Sequence, residues 1–582
     1  MCERALIVVV AFLACAAGEG ATVTPVDCLT MIDPLTGRDV VGRGGQGSDA
    51  WRSANTIWDG ERLRLEAARG ETVAFQLVVT RAPGETITNI RPRLDLACAK
   101  NVRTWRPWCI WNVPEIAVPL EGTTYSFDLP STVPLEKPLF EKHGYVAWAV
   151  GIEFTVDREA KSGAATGSVT LEADAGMPAT TFPVDVRVHD FALPARPSLV
   201  VEMNSYGDYA KFLGRDVKSY LDMHRVMRRH RCTFTMVPYR QGGSLVAPFV
   251  APSVERSSGN VRLQWDAFDE ALSGLFDGSA FDDRVPLSHF VMPFCYNWPA
   301  PFSEFKRDRG AYRRANAEAR RRFARHVLDR RWTDTVFQEF HNENPDVGAK
   351  CPWHLDEPRR DKDFQGHALY LGLFGEGFDA SDSAAAFRYR IDVSQWQRVR
   401  KALAAHAPSI HDWSVSRDRA FLNAKTAPMF RKYADASGGW LFEYGEVSGF
   451  AAGGRPVNWS VFDEYARQCH TLRLDGYAQW CCDLWRTKGR NDASGPLTYS
   501  NAAGARDLVW PGTYFGQDVP LPSLRLKAIR ESLNLFDYVA VAAARHPDRA
   551  EEIGEIVSLI DTRRSIGHFE AKRMLADMIR AE

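Results

Sequence analysis

The sequence has no charge of one sign to spare: 72 Lys and Arg stand against 73 Asp and Glu, a formal charge of -1. That balance excludes the basic footprint that nucleic acid or an anionic membrane surface would call for. Cysteine is sparse and irregular. Of 11 cysteines, Cys2 and Cys15 lie in the first 21 residues, and the rest contain no C-x-x-C pair. Neither a zinc site nor a regular disulfide framework is therefore indicated. Cys98 and Cys109 are close enough in sequence to be a candidate bridge, while most of the others sit in apolar runs and read as buried thiols. H-E-x-x-H, Walker A, EF-hand and G-x-S-x-G motifs are all missing, so no metal centre or serine nucleophile is signalled. Past the first twenty or so residues, no apolar run approaches the ~18 residues of a membrane span. Internal repeats and low-complexity tracts are also lacking.

What the chain does have is length and aromatic side chains. Its 582 residues exceed one ordinary core and imply two or three domains. The 17 Trp, 17 Tyr and 32 Phe suit either large apolar cores or a surface that stacks on flat ligands, sugars among them. Residues 1–21 carry Arg4, an apolar run over Ala5–Ala14 and the small-residue site Ala14-Cys15-Ala16. This is the pattern of a secretory signal peptide, so the expected location is secreted or periplasmic. Acylation of Cys15 is the lesser alternative, because Phe12 stands where a leucine is usual.

Residues 22–195 alternate short β-type runs with turn signals, as in Thr72–Thr80, Tyr145–Phe154, Gly167–Glu172 and Phe182–Val188. That rhythm predicts an antiparallel β-sandwich. Leu193-Pro194-Ala195-Arg196-Pro197 then reads as a stiff linker. Over residues 196–545 β-type runs alternate with helical stretches. Examples are Leu199–Met203, the helix at Asp216–His230 with Asp216 as its cap, Thr233–Val237, His289–Cys295 and Trp353–Leu355. Tyr389–Val393, Asp412–Val415, Gly439–Tyr444 and Gly476–Cys482 continue the series. Strand–helix alternation of this length predicts a (β/α)8 TIM-like barrel, with a doubly wound sheet as the competing topology. Residues 546–582 read as a C-terminal helical segment, with Ile553, Ile556, Val557 and Ile560 on one face.

Several eye-catching runs have plain explanations. Gly42–Gly47 matches G-x-G-x-x-G, but the polar run behind it is no helix start, so it reads as a loop. Arg313–Arg331 holds eight arginines, yet Ala319, Phe323 and Val327 recur every four residues and mark a buried stripe under a solvated face. Asn458-Trp459-Ser460 is a glycosylation sequon that matters only in a eukaryotic host. The sharp signal is Cys351-Pro352-Trp353-His354-Leu355-Asp356-Glu357-Pro358: a short apolar run delivering two successive carboxylates. At the C-terminal end of a barrel strand such a pair suits sugar chemistry. One group protonates the leaving oxygen while the other orients an internal nucleophile.

With that pair in place, the chain resembles glycoside hydrolase family 123 and its large relative, the uncharacterised domain family 4091. The resemblance spans most of the chain beyond residue 21. It rests on Gly70–Val79, the Leu193–Ser198 linker, Trp353–Pro358 at its centre, Leu508-Val509-Trp510-Pro511-Gly512, and Pro522–Arg530. The chain departs from the family where Trp510 replaces the Tyr of Y-P-G, and where Arg530–Tyr538 loses the Gly and first Asp of R-x-G-[IL]-x-D-Y-E-Y. The resemblance implies retaining, substrate-assisted hydrolysis of a β-linked 2-acetamido sugar such as N-acetylgalactosamine, without a cofactor or metal. Asp356 would then polarise the acetamide and Glu357 would be the acid/base. Glu357 is expected to have the raised pKa and Asp356 to be the more readily ionised. The implied partner is a carbohydrate substrate; oligomeric state is open. Trp298, Trp353, Tyr444, Trp480, Trp485 and Trp510 are the candidate subsite walls. Two alternatives stand beside this: a protein nucleophile at Glu443 or Glu446, or a non-catalytic carbohydrate-binding scaffold.

Overall fold

The computed structural model describes residues 20–39, 49–81, 87–110, 113–120, 145–257, 260–378, 386–417, 422–446, 450–451, 455–456, 461–484, 486–487, 497–498, 506–560 and 567–581. All but the end of the signal segment, the Gly42–Gly47 run, Asn458–Ser460 and Trp485 lie outside the described residues.

Two sheets form the N-terminal sandwich. The first runs in the order Thr22–Asp27, Thr72–Thr80, Ala147–Val156, Ala99–Ile110, Val113–Pro119, antiparallel throughout. The second runs Leu63–Arg69, Thr180–Ala192, Gly163–Glu172, Arg91–Asp95. Its first pair is parallel, the one departure from a fully antiparallel expectation among these ladders. Phe75, Leu77, Val150, Val184 and Val186 belong to the core between the sheets. Thr72–Thr80 is buried along nearly its whole length, because its outer face is covered too: Val78 packs with Ile32 and Trp51, and Gln76 bonds the Asp27 and Thr30 carbonyls. Cys98 and Cys109 do not form the bridge considered above; both are free buried thiols. Cys98 precedes the strand Ala99–Ile110 and Cys109 lies near its end, so the extended backbone separates them by roughly 30 Å or more at ~3.3 Å per residue.

The second unit is the (β/α)8 barrel. Its strands are β1 (Val200–Ser205), β2 (Thr233–Met236), β3 (His289–Val291), β4 (Val336–Phe340), β5 (Ala386–Val393), β6 (Asp412–Ser416), β7 (Leu441–Gly445) and β8 (Gly476–Gln479). They pair in parallel in the order β2-β1-β8-β7-β6-β5-β4-β3. Each strand thus lies beside its predecessor, with β8 returning to β1, which is barrel winding and not a doubly wound sheet. The circle is nearly closed. At the seam between β2 and β3, side chains join where the backbone ladder stops: Thr233 Oγ1 with Ser288 Oγ at 2.8 Å, and Thr235 Oγ1 with His289 Nε2 at 3.2 Å.

The outer helices include α1 (Val217–Arg229), α2 (Asp266–Phe276), α3 (Arg309–Asp329), α4 (Asp363–Gly377), α5 (Arg400–His406), α6 (Ala427–Ser437), α7 (Val461–Thr471) and α8 (Leu524–Arg545). Asp216 caps α1 by accepting from the Ser219 N–H at 2.8 Å. In α3, Ala319, Phe323 and Val327 are buried while Arg314, Arg321, Arg322 and Arg325 are exposed.

Trp353–Leu355 is not a strand. The fourth strand is Val336-Phe337-Gln338-Glu339-Phe340, and Trp353–Glu357 lie in the long connection between β4 and α4. The strand shows no apolar run or alternation because two successive residues, Gln338 and Glu339, are polar and still buried. Gln338 Nε2 donates to Asp412 Oδ2 at 2.6 Å, and Glu339 takes Arg320 of α3 at 2.6 Å.

Helix α8 is wedged between sandwich and barrel, and it contains the Arg530–Tyr538 run. Arg525 pairs with Glu115 at 2.5 Å, and Lys527 and Arg530 meet Glu153 at 2.6 and 3.0 Å. Tyr538 donates its hydroxyl to Glu71 at 2.7 Å, and Asp537 accepts from the Ser198 N–H of the linker. The variant residues of that run therefore belong to a joint between the two units.

Candidate active site

A cavity of about 1130 Å³ opens at the C-terminal mouth of the barrel. Residues at or just beyond the ends of β1, β2, β4, β5, β6, β7 and β8 line it, among them Asn204, Gln241, Asn344, Asp392, Ser416, Tyr444 and Trp480. Asp356 and Glu357 both face it. This is where the fold gathers loop side chains from separate units around one space.

The two carboxyls are held by different partners. Asp356, buried at 8% exposure, accepts from Gln241 Nε2 at 2.6 Å through Oδ2 and from the Glu357 N–H at 2.9 Å through Oδ1. Asn344 Nδ2 stands 3.4 Å from the same Oδ2. Glu357 is half-buried and accepts from two hydroxyls, Ser394 Oγ at 2.9 Å and Tyr444 OH. The chain turns between the neighbours, so successive side chains that would oppose each other on a strand share one space here.

Charge in this space departs from the sequence expectation. Burial pushes the Asp356 carboxyl up to about 7, helped by the charge of Glu357 and opposed by the Glu357 N–H, Asn344 and Arg359. Asp356 is thus far from the readily ionised member it was expected to be. Below it, Arg390 bonds Glu202 at 2.7 and 2.9 Å and Asp392 at 2.8 Å, carrying a buried ion chain from the barrel interior to the cavity wall. Burial raises Asp392 to about 6 even against the Arg390 guanidinium. Glu202 is held down to about 2, because Arg390 and His289 outweigh its burial.

The remaining sequence candidates divide sharply. Tyr444 and Trp480 line the cavity with the carboxyl pair. Trp480 donates Nε1 to Glu446 at 2.7 Å, under the Arg506 guanidinium. Glu446 also lines the cavity, tied to Arg506 at 2.6 Å. Glu443 does not: the alternation of β7 turns it outward to α7, where Gln468 Nε2 donates to it at 3.0 Å. Trp298, Trp353 and Trp510 are corrected to packing roles. Trp298 makes an edge contact with Phe294, and Trp353 is buried edge-on against Phe302 and Phe305. Trp510 is fully buried at the sandwich joint with Nε1 on Glu115. Gln241, Asn344 and Ser394 leave no signature in the sequence, because isolated polar loop residues carry no periodic signal.

No family model matches the sequence and no curated protein matches it. Among solved structures, a family 123 glycoside hydrolase from Clostridium perfringens, described in a study of glycolipid glycan hydrolysis, matches 96% of this chain and 97% of its own, with a TM-score of 0.60 at 11% identity. The chain shares that enzyme's fold. A β-glucuronidase from Parabacteroides merdae matches 80% of this chain and 50% of its own at a TM-score of 0.28 and 9% identity, too distant to bear on the site. Among the described residues, no helix is long and apolar enough to cross a membrane.

Proposed function

We propose that this chain is a glycoside hydrolase of the family 123 type, related to the 4091 group, that cleaves β-linked 2-acetamido sugars with retention. The observation that carries the reading is the pair Asp356–Glu357 in one cavity with separate hydrogen-bond partners. Asp356 orients the acetamide and stabilises the positive charge that grows on its nitrogen as the carbonyl oxygen attacks the anomeric carbon. Glu357 gives its proton to the leaving oxygen, then takes one from the water that opens the cyclised intermediate. Tyr444 and Ser394 orient Glu357 by their hydroxyls, and Trp480 offers a wall for a sugar ring. The signal-type segment in residues 1–21 supports export.

Glu446 supports a second reading, since it is a carboxylate in the same cavity. A protein nucleophile would require it to lie ~5–5.5 Å from the acid/base. Chromogenic glycosides with and without the 2-acetamido group test both. The substrate-assisted reading expects turnover only with the acetamide, a loss of about 10²–10³ in kcat for Asp356→Asn, and inhibition by a thiazoline mimic. Labelling of Glu446 by a fluorosugar would replace it with the second reading. If no glycoside turns over and glycans still bind, the binding-scaffold reading takes its place.

A further inference from the structure

A second cleft lies at the other end of the barrel, between the sandwich and the C-terminal end of α1, with a volume of about 380 Å³. That size falls within the ~300–1,000 Å³ of small-ligand pockets. Cationic side chains outnumber carboxylates in its lining by two to one. Several are already neutralised, as Arg228 is by Asp283 at 2.8 Å and Arg225 by Asp222 at 2.9 Å. Two are not: Arg158 and Arg229 have no side-chain hydrogen bond or ion pair among the described residues. Lys100 and Arg103 pair only loosely, with Asp157 and Asp282, each at 3.5 Å.

These four come from three parts of the chain: the sandwich strand Ala99–Ile110, the end of strand Ala147–Val156, and the last residue of α1. The fold therefore brings like charges together from separate elements, which costs stability unless a counter-charge joins them. Burial is the main cause that lowers the Arg229 pKa, and the charge of Arg103 adds to it, against the attraction of Glu153, Asp282 and Asp222.

We infer that this cleft is a binding site for a tetrahedral oxyanion, a sulfate or phosphate group, held by Arg229 at its base and by Arg103, Arg158 and Lys100 around it. Guanidinium groups match such oxyanions through paired N–H donors. The site is independent of the carboxyl pair at the barrel mouth, and its occupancy involves no bond making.

Inorganic sulfate is the first probe, titrated against chloride at matched ionic strength and read by thermal shift and calorimetry. Sulfate should raise Tm above the chloride control, since a ligand of the folded state stabilises it. Arg229→Gln should weaken sulfate binding about tenfold or more. It should also raise Tm without sulfate, because it removes an unpaired charge. Arg158→Gln, at an exposed position, should weaken binding with no effect on folding, and Asp356→Asn should leave binding unchanged. A sulfated hexosamine distinguishes the sources: tighter binding than sulfate assigns the site to a sulfate ester, equal binding to the free ion. Equal response to sulfate and chloride would overturn the assignment, as would wild-type binding by both arginine variants.

Discussion

At the scale of single residues, Asp356 has the clearest consequence for pH. Its folded pKa of about 7 lies above the ~3.9 of an unfolded aspartate. The folded state therefore binds the extra proton, and the carboxylate costs stability as pH rises through that window. The cost is absent below about pH 4 and complete above about pH 7. Asp356→Asn should accordingly be more stable than the parent at pH 8, by roughly 2–4 kcal/mol at most, with the gain vanishing toward pH 4. Denaturant midpoints at the two pH values check this. Activity runs the other way. A charge-stabilising Asp356 must be ionised, so kcat/KM should fall on the acid side from about pH 7, and an intact profile below pH 6 would contradict the role. The pair itself was legible because two acids directly after an apolar run form a local pattern. Its partners were not, since Gln241, Ser394 and Tyr444 reach it from three other β/α units.

At the scale of elements, β4 shows how a strand escapes notice. Apolar alternation is a proxy for burial, and it fails when polar groups are buried in satisfied pairs. Glu339 accepts from Arg320 Nε and Nη2 at 2.9 and 2.6 Å, and His341 Nε2 meets it at 2.8 Å, all without exposure. The same reasoning predicts fragility. Arg320→Met would leave Glu339 buried with only His341 and should cost roughly 3–5 kcal/mol, seen as a lower urea midpoint with an unchanged m-value. The neighbouring Trp353–Leu355 segment is apolar for a different reason. It pads the β4–α4 connection against Phe302 and Phe305, which holds Asp356 and Glu357 where the chain turns into the cavity. The strand Thr72–Thr80 is easier to read, because its buried interior is apolar apart from Gln76.

At the scale of the whole molecule, the order sandwich, linker, barrel was visible in the change of rhythm near residue 195. The function of the C-terminal run was not, because ion pairs across 370 or more residues leave no local trace. Burial pushes the Glu153 carboxyl up, but Lys527 and Arg530 outweigh it and hold the group well below the usual range. Its carboxylate therefore adds stability that is present above pH ~4.3 and is lost as pH falls through the folded value. Glu153→Gln should destabilise the protein by roughly 3–5 kcal/mol near neutral pH, and the gap to the parent should narrow on acidification. Chemical unfolding at pH 7 and pH 3.5 measures both limbs.

The carboxyl pair depends on the turn of one loop, on Gln241 beyond β2, on Ser394 after β5 and on Tyr444 of β7. No contiguous stretch shorter than the span from Gln241 to Tyr444 contains them all. A chain still leaving the ribosome therefore holds an unassembled site until β7 has been synthesised and docked. Turnover would then report the completion of folding, and a fragment ending before residue 441 would fold in part and remain catalytically silent.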